Sequence, residues 1–161
     1  MTRRMLVSRR TTRQARVVSY IRNYYLLMIA CCWMCRVRFG LWQSSFQDLH
    51  SQLAQESQRN LFYPFRTRPA LQQLIWAVNT SSYLMPGKIK CLAKALCAQA
   101  IARQFNYALD LHIGVAKRPN LSIEAHAWIV YQNRIILGNL PGLDKFVPLL
   151  LLPAQLSKGA V

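Results

Sequence analysis

The sequence predicts an α+β fold in which several helices precede a buried helix and a small antiparallel sheet. Apolar residues recur at helical spacing through the first half, residues 90–105 are apolar nearly all round, and residues 107–137 alternate with period two. Helices followed by strands, without alternation between them, are typical of the α+β class. A chain of 161 residues with 53% hydrophobic and 16% charged residues fits one folded domain and excludes a disordered chain.

The first half of the chain predicts three helices separated by short breaks. A long helix is expected over 17–42, ending near Gly40, followed by a polar surface helix over 44–60. Ser45, with Asp48 three residues later, has the form of an N-terminal cap for that second helix. Prolines break the chain between Tyr63 and Pro69, residues 70–79 recover helical spacing, and a loop is expected from Asn79 to Gly87.

The second half predicts one buried helix and three strands. Lys90 to Phe105 is apolar on every side, which is typical of a helix inside a fold. Strands are expected over 107–116, 123–131 and 134–137, with a connecting loop over 117–122. Gln132-Asn133 between the last two strands indicates a two-residue hairpin turn.

The charge distribution is strongly basic at the front of the chain. Twenty-one Lys and Arg against five Asp and Glu give a net charge of +16, and the first acidic residue is Asp48. Such a surface favours acidic peptides, anionic lipid or nucleic acid, and charge alone does not choose among them. Residues 1–16 are expected to form a solvated, partly frayed basic arm.

The apolar run from Tyr24 to Cys35 predicts an amphipathic or buried helix. It is shorter than the roughly 20 residues of a spanning helix, and no A-x-A cleavage pattern follows it, which argues against an export signal. The five cysteines are an odd number without a disulfide-scaffold spacing, so a reducing compartment is expected. We therefore expect a cytoplasmic protein, with possible peripheral membrane association. Cys31, Cys32 and Cys35 are expected to pack in the core, since no further ligands at metal spacing accompany them.

Cys91 is the candidate nucleophile. It follows Pro86-Gly87 and opens the buried helix, where free backbone N–H groups and the positive end of the helix dipole favour a thiolate. The same N–H groups can hold the oxyanion that forms when the thiolate attacks a carbonyl. Cys97 lies six residues further and points elsewhere, so it is expected to be an inert buried thiol.

His126 is the candidate general base. It lies mid-strand in Glu124-Ala125-His126-Ala127-Trp128, downstream of a helix that begins with cysteine, which is the chain order of papain-like and transglutaminase-like cysteine enzymes. Such a site needs a third group that orients the imidazole. If Gln132-Asn133 is the turn, Trp128 pairs with Leu137 and His126 with Asn139. A one-residue slip would place Gly138 there instead, and the role would pass to a backbone carbonyl or to Asp144.

Three other polar side chains are rejected for catalysis. Asp110 and His112 alternate on one strand face that is otherwise polar and expected to be solvated. His50 lies in a polar helix without evident partners.

Three segments together resemble the lasso peptide biosynthesis B proteins, which are transglutaminase-like cysteine peptidases. They are Pro86 to Leu96, Ile113 to Lys117, and Glu124 to Trp128, in that order. The resemblance implies that the chain removes the leader from a lasso precursor peptide, with Cys91 and His126 as its dyad and no cofactor or metal. The family often has an aspartate about a dozen residues past the histidine, where this chain has Leu137-Gly138-Asn139.

The resemblance also implies an organisation and a set of partners. Residues 1–69 are expected to form a basic arm and helical region, and residues 70–161 the transglutaminase-like peptidase domain. Residues 1–69 lack the strand alternation of a leader-recognition module, so a separate recognition protein is expected to bring the substrate. An ATP-dependent macrolactam synthetase would then close the ring on the released core peptide.

Two alternatives remain open at the level of sequence. A non-catalytic basic module for a membrane surface or nucleic acid would explain the charge, although we expect no specific nucleic-acid partner. A transglutaminase-type acyltransferase would use the same dyad with an amine in place of water.

Overall fold

A computed structural model describes residues 2–58, 63–87, 89–117 and 122–152, with side chains described from Val17 onward. Within these ranges it contains four helices and one four-stranded antiparallel sheet, which confirms the α+β class. The helices are α1 Thr2–Gln43, α2 Phe46–Glu56, α3 Leu71–Leu84 and α4 Cys91–Gln104. The strands are β1 Asp110–Lys117, β2 Ile123–Tyr131, β3 Arg134–Leu137 and β4 Val147–Leu152.

Helix α1 extends beyond its predicted span at both ends. Its backbone is helical from Thr2, so the segment predicted as a frayed arm continues the helix, while its arginine side chains lie outside those described. The helix ends at Gln43, one residue past its predicted span, which confirms an end near Gly40. A Cβ at Gly40 would overlap the Leu49 side chain, so the glycine permits the close approach of α1 to α2.

Helix α2 begins with the predicted Ser45 cap. The Ser45 hydroxyl accepts a hydrogen bond from the Asp48 backbone N–H at 3.3 Å and donates to the Asp48 carboxylate at 2.6 Å. The helix is amphipathic rather than polar throughout, because it buries Leu49 and Leu53 against the core.

Helix α3 continues five residues past the predicted end at Asn79. The Thr80-Ser81-Ser82 stretch was predicted as loop, yet Ser81 and Ser82 are buried inside the helix. Their hydroxyls donate to the Val78 and Asn79 carbonyls at 2.8 Å and 2.6 Å, so both are satisfied without leaving the helix.

One hydrophobic cluster joins the helices to one face of the sheet. Helix α1 contributes Leu26, Ala30, Met34 and Val37, spaced at four, four and three residues along one face. Helix α4 lies innermost, as predicted, and the sheet adds residues such as Leu111, Ala127 and Ile129. The cluster includes residues from both 1–69 and 70–161, and the position of a domain boundary stays a prediction.

The cysteines differ in their burial. Cys97 is fully buried, as predicted, and its burial raises the pKa of the thiol far above the ordinary range. Cys32 and Cys35 are exposed, so the prediction that they pack in the core is wrong for these two. They lie on the side of α1 that faces away from the helices and the sheet.

The sheet has the strand order β3-β2-β1-β4. Strands β1 and β2 pair without a register shift, and Gly114 lies opposite His126. Gln132 and Asn133 form the predicted two-residue turn, with φ angles of 48° and 62° that match the left-handed residues of a type I′ hairpin. Strand β4 was not predicted; it pairs with β1 and forms an edge of the sheet.

Candidate active site

Cys91 is the first residue of α4, and its side chain is partly exposed. The preceding residue, Lys90, has an extended backbone with φ −70° and ψ 151°, and its side chain makes no capping hydrogen bond. The free N–H groups of the first turn therefore face the same space as the thiol. A carbonyl that entered this space would meet a sulfur nucleophile and backbone hydrogen-bond donors together.

The loop before Cys91 is tied to α1. The Arg38 guanidinium donates to the Pro86 carbonyl at 2.6 Å, and Gly87 adopts a φ of +83° that turns the chain toward α4. Residue 88 is not among those described. The contact with Arg38 fixes where the chain enters α4, and therefore where Cys91 lies.

The His126 imidazole is oriented by a backbone carbonyl. Its Nε2 lies 2.7 Å from the Gly138 carbonyl oxygen. A carbonyl can only accept a hydrogen bond, so Nε2 carries the proton, and in the neutral ring Nδ1 keeps the lone pair that a base requires. The ring stacks on Trp128, with centroids 6.1 Å apart and planes 14° apart, and also packs against Phe146 at 5.5 Å.

A register shift in the hairpin brings Gly138 to this position. The β2–β3 pairing shifts between Ile129 and Val130, so Leu137 lies opposite Ile129 rather than opposite Trp128. The predicted pairing of Tyr131 with Arg134 is confirmed, whereas the predicted pairing of Trp128 with Leu137 is wrong, and the inference that Asn139 lies opposite His126 depended on it. Within the described residues neither Asn139 nor Asp144 hydrogen-bonds the ring, and both are exposed.

Gly138 cannot be replaced by a larger residue without local rearrangement. Its φ is +80°, and a Cβ at this position would lie 2.8 Å from the Ala127 carbonyl oxygen and 3.0 Å from the Trp128 Cα. The absence of a side chain therefore allows residue 138 to pass close to β2 and present its carbonyl to His126.

Cys91 and His126 line the same pocket, which has a volume of about 260 Å³. Its other walls come from α3, at Asn79, and from the end of β3 and the chain that follows it, at Leu137, Gly138 and Leu140. Both His126 and Ala127 line the pocket, although neighbouring residues of a strand point to opposite faces of the sheet. The pocket therefore lies at the edge of β2, where it can contact residues of both faces. Within the described residues the thiol and the imidazole do not hydrogen-bond each other; the pocket brings them to one space.

A larger pocket of about 670 Å³ lies near the hairpin turn, between α3 and β2–β3. Residues such as Leu71, Ile75, Tyr131 and Arg134 line it, and none of its lining residues is a cysteine or a histidine. The larger pocket is therefore not the candidate active site. The smaller pocket is, because Cys91 and His126 both line it.

The other candidates fall outside this pocket. His112 stacks on Trp128 at 5.6 Å, so it extends the aromatic layer of the sheet face that carries His126. His50 is not without partners, since its Nε2 lies 3.1 Å from the Gln99 side-chain oxygen. Within the described residues no group of three His, Cys, Asp or Glu side chains could hold a metal ion.

We expect His50 to make stability depend on pH. Burial lowers the pKa of His50, the nearby Arg103 lowers it further, and the bond to Gln99 partly offsets both. The unfolded chain then binds the proton more readily than the folded one, so stability present at neutral pH is lost as the pH falls below about 6.5. Urea unfolding across this range should show a smaller acid loss in His50→Gln than in the wild type. Equal slopes in the two proteins would contradict this role.

Comparison with known families gives one match. The model of the transglutaminase-like superfamily matches residues 31–151, which is most of the chain and includes both Cys91 and His126. No curated protein and no solved structure matches the chain. Transglutaminase-like domains are typically cysteine-based enzymes with peptidase or acyltransferase activity. The chain belongs to the transglutaminase-like superfamily.

Proposed function

We propose that the chain is a cysteine peptidase that removes the leader from a lasso peptide precursor, with Cys91 as nucleophile and His126 as base. The observation that carries the proposal is that Cys91, at the N-terminus of α4, lines the same pocket as His126. Superfamily membership supports acyl chemistry at a cysteine. The resemblance of Pro86 to Leu96 and of Glu124 to Trp128 to the lasso B proteins supports the choice of substrate.

The reaction proceeds in two acyl-transfer steps. His126 takes the thiol proton at Nδ1, and the Cys91 sulfur attacks the carbonyl carbon of the last leader residue. The C–N bond to the core peptide breaks, His126 returns the proton to the departing amine, and a thioester joins the leader to Cys91. Water, deprotonated by His126, then attacks the thioester, and the C–S bond breaks to release the leader carboxylate and restore the thiol.

The hydrogen bond from His126 to the Gly138 carbonyl makes Gly138 the positioning residue of the site. It fixes the tautomer in which Nδ1 is the base and prevents the ring from turning out of the pocket. Asn139 neighbours this residue but is exposed and does not hydrogen-bond the ring, so Asn139→Ala is expected to lower turnover by less than a change at Gly138.

The proposed partners follow from the resemblance. A separate leader-recognition protein would deliver the precursor, and an ATP-dependent macrolactam synthetase would close the ring on the released core peptide. Delivery by a second protein raises the effective concentration of the scissile bond at a small site, so the isolated chain should cleave slowly.

Leader removal can be measured directly by mass spectrometry. The wild-type chain is incubated with a lasso precursor peptide, with and without a leader-recognition protein. The expected products are an intact core peptide and a leader that ends in a free carboxylate, formed faster when the recognition protein is present. No cleavage in either condition would overturn the peptidase and favour a non-catalytic basic module.

The same reaction distinguishes hydrolysis from transfer to an amine, which the superfamily also uses. Hydroxylamine is added as a competing nucleophile at a concentration well below that of water. A leader that remains mostly a carboxylate supports the peptidase. A leader found mostly as the hydroxamate would identify an acyltransferase with the same nucleophile.

A further inference from the structure

The side of α1 that faces away from the core carries exposed apolar side chains near both ends of Val17–Gln43. Six large side chains make up this surface, and each is more than half exposed, from 52% at Val17 to 80% at Trp42. We call this surface the outer stripe of α1; its members are Val17, Ile21, Tyr24, Met28, Phe39 and Trp42. The steps of four, three and four residues from Val17 to Met28, and of three from Phe39 to Trp42, keep them on one side of the helix. Monomeric soluble proteins rarely expose an apolar surface of this length.

The fold does not need the outer stripe. The opposite side of α1 already supplies the core with Leu26, Ala30, Met34 and Val37, all at most 1% exposed. Within the described ranges the members of the stripe are exposed, and the core that those ranges form does not use them. A binding partner with an apolar surface is the physical explanation.

Helix α1 lies along that partner rather than passing through it. Val17–Gln43 contains an 18-residue window that is apolar enough to cross a membrane, with a mean hydropathy of 1.3, yet 33% of that window is buried inside the protein. If α1 crossed a membrane, the buried side of the helix that carries Leu26 would lose its packing against α3 and α4. Crossing would also break the bonds from Trp33 to Gln104, at 3.2 Å, and from Arg36 to Glu56, at 2.9 Å.

The positive charge at the start of the same helix favours a partner with an anionic surface. Arg3, Arg4, Arg9, Arg10, Arg13 and Arg16 precede the outer stripe, and residues 1–47 contain no Asp or Glu. A second copy that paired through the stripe would bring together two chains of net charge +16, and that repulsion opposes a dimer. A bilayer with anionic headgroups neutralises the arginines and at the same time receives the apolar side chains.

We propose that α1 is an interfacial anchor that lays its outer stripe into an anionic membrane surface. The stripe enters the boundary between headgroups and acyl chains, while the preceding arginines contact the headgroups. The Leu26 side of α1 stays in the core, so the folded domain rests on the membrane without unfolding. The inference is independent of the peptidase proposal, because it uses neither Cys91 nor His126.

Vesicle flotation of the full chain tests the anchor. We expect binding to vesicles of equal parts phosphatidylcholine and phosphatidylglycerol, weak binding to phosphatidylcholine alone, and a loss of binding as salt rises. The emission of Trp42 should shift to the blue on binding, and Trp42→Phe should remove that shift. Absence of binding to the anionic vesicles would overturn the proposal.

A matched pair of variants locates the surface. Tyr24→Glu/Met28→Glu should lower partitioning by at least about tenfold, because two apolar side chains no longer enter the lipid. Tyr83→Glu is the control, since Tyr83 is 82% exposed but lies on α3. Equal losses in both variants would overturn the assignment to α1. Dimers in light scattering that the α1 variant abolishes would instead identify the stripe as a self-association surface.

Discussion

Replacement of Cys91 by alanine is expected to lower kcat for leader removal by roughly 10⁴-fold or more. The sulfur forms the bond that carries the acyl group, and among the described residues no other thiol and no hydroxyl side chain lines the pocket. The alanine at the first position of α4 also favours the helix, so the variant should fold as the wild type does. Single-turnover cleavage of the precursor followed by mass spectrometry measures the loss.

Cys97→Ala is the matched control on the same helix. Cys97 is fully buried, its thiol stays protonated because burial raises its pKa, and its Sγ lies 3.7 Å from the Ala30 carbonyl oxygen rather than in the pocket. We expect this variant to keep most of its turnover and to lose about 1 kcal/mol of stability from the small cavity left behind. Equal loss of turnover in the two variants, or turnover that survives in Cys91→Ala, would remove Cys91 from its proposed role.

Replacement of Gly138 by alanine is expected to have the second largest effect. The new Cβ would meet the Ala127 carbonyl at 2.8 Å, so residue 138 must move and its own carbonyl must leave His126. A displacement of the base by about 1 Å can cost roughly 10²-fold in rate. The fall should appear in kcat more than in KM, because the ring orients the proton transfer and does not bind the leader.

Gly142→Ala separates this effect from backbone strain. Gly142 has a φ of +78°, close to the +80° of Gly138, but a Cβ there would meet only the Lys145 side chain, at 3.5 Å or more. Both variants therefore strain the backbone by about 1–2 kcal/mol, and only Gly138→Ala disturbs the imidazole. The rate at which iodoacetamide alkylates Cys91 provides a second reading, since it should fall in Gly138→Ala alone. Similar losses of turnover and alkylation in both variants would show that Gly138 has a structural role only.

The order of elements could be read from the sequence because each was specified by local residues. The alternation from Ile123 to Tyr131 and the Gln132-Asn133 turn predict β2 and the turn at their observed positions. Ser45 and Asp48 likewise predict the start of α2, because a capping hydrogen bond joins residues three apart. In each of these cases the deciding contacts lie within a few residues of one another.

The features that the sequence did not predict correctly depend on contacts between residues that are distant along the chain. Strand β4 has no alternation, contains Pro148 and gains its strand character from pairing with β1. The shift between Ile129 and Val130 depends on where Gly138 can approach β2. The dyad candidates could be found from sequence, whereas the choice of the Gly138 carbonyl over Asn139 and Asp144 as the group that orients His126 required the fold.

The most direct measurement of the central claim is the detection of a leader thioester on Cys91. The wild-type chain, the recognition protein and the precursor are mixed, quenched in acid within the first turnover, and digested for peptide mapping by mass spectrometry. The account predicts that the peptide containing Cys91 gains the mass of the leader less one water, and that hydroxylamine removes this addition. Complete cleavage of the precursor with no acyl group on Cys91 at any time point, or with the acyl group on another residue, would contradict it.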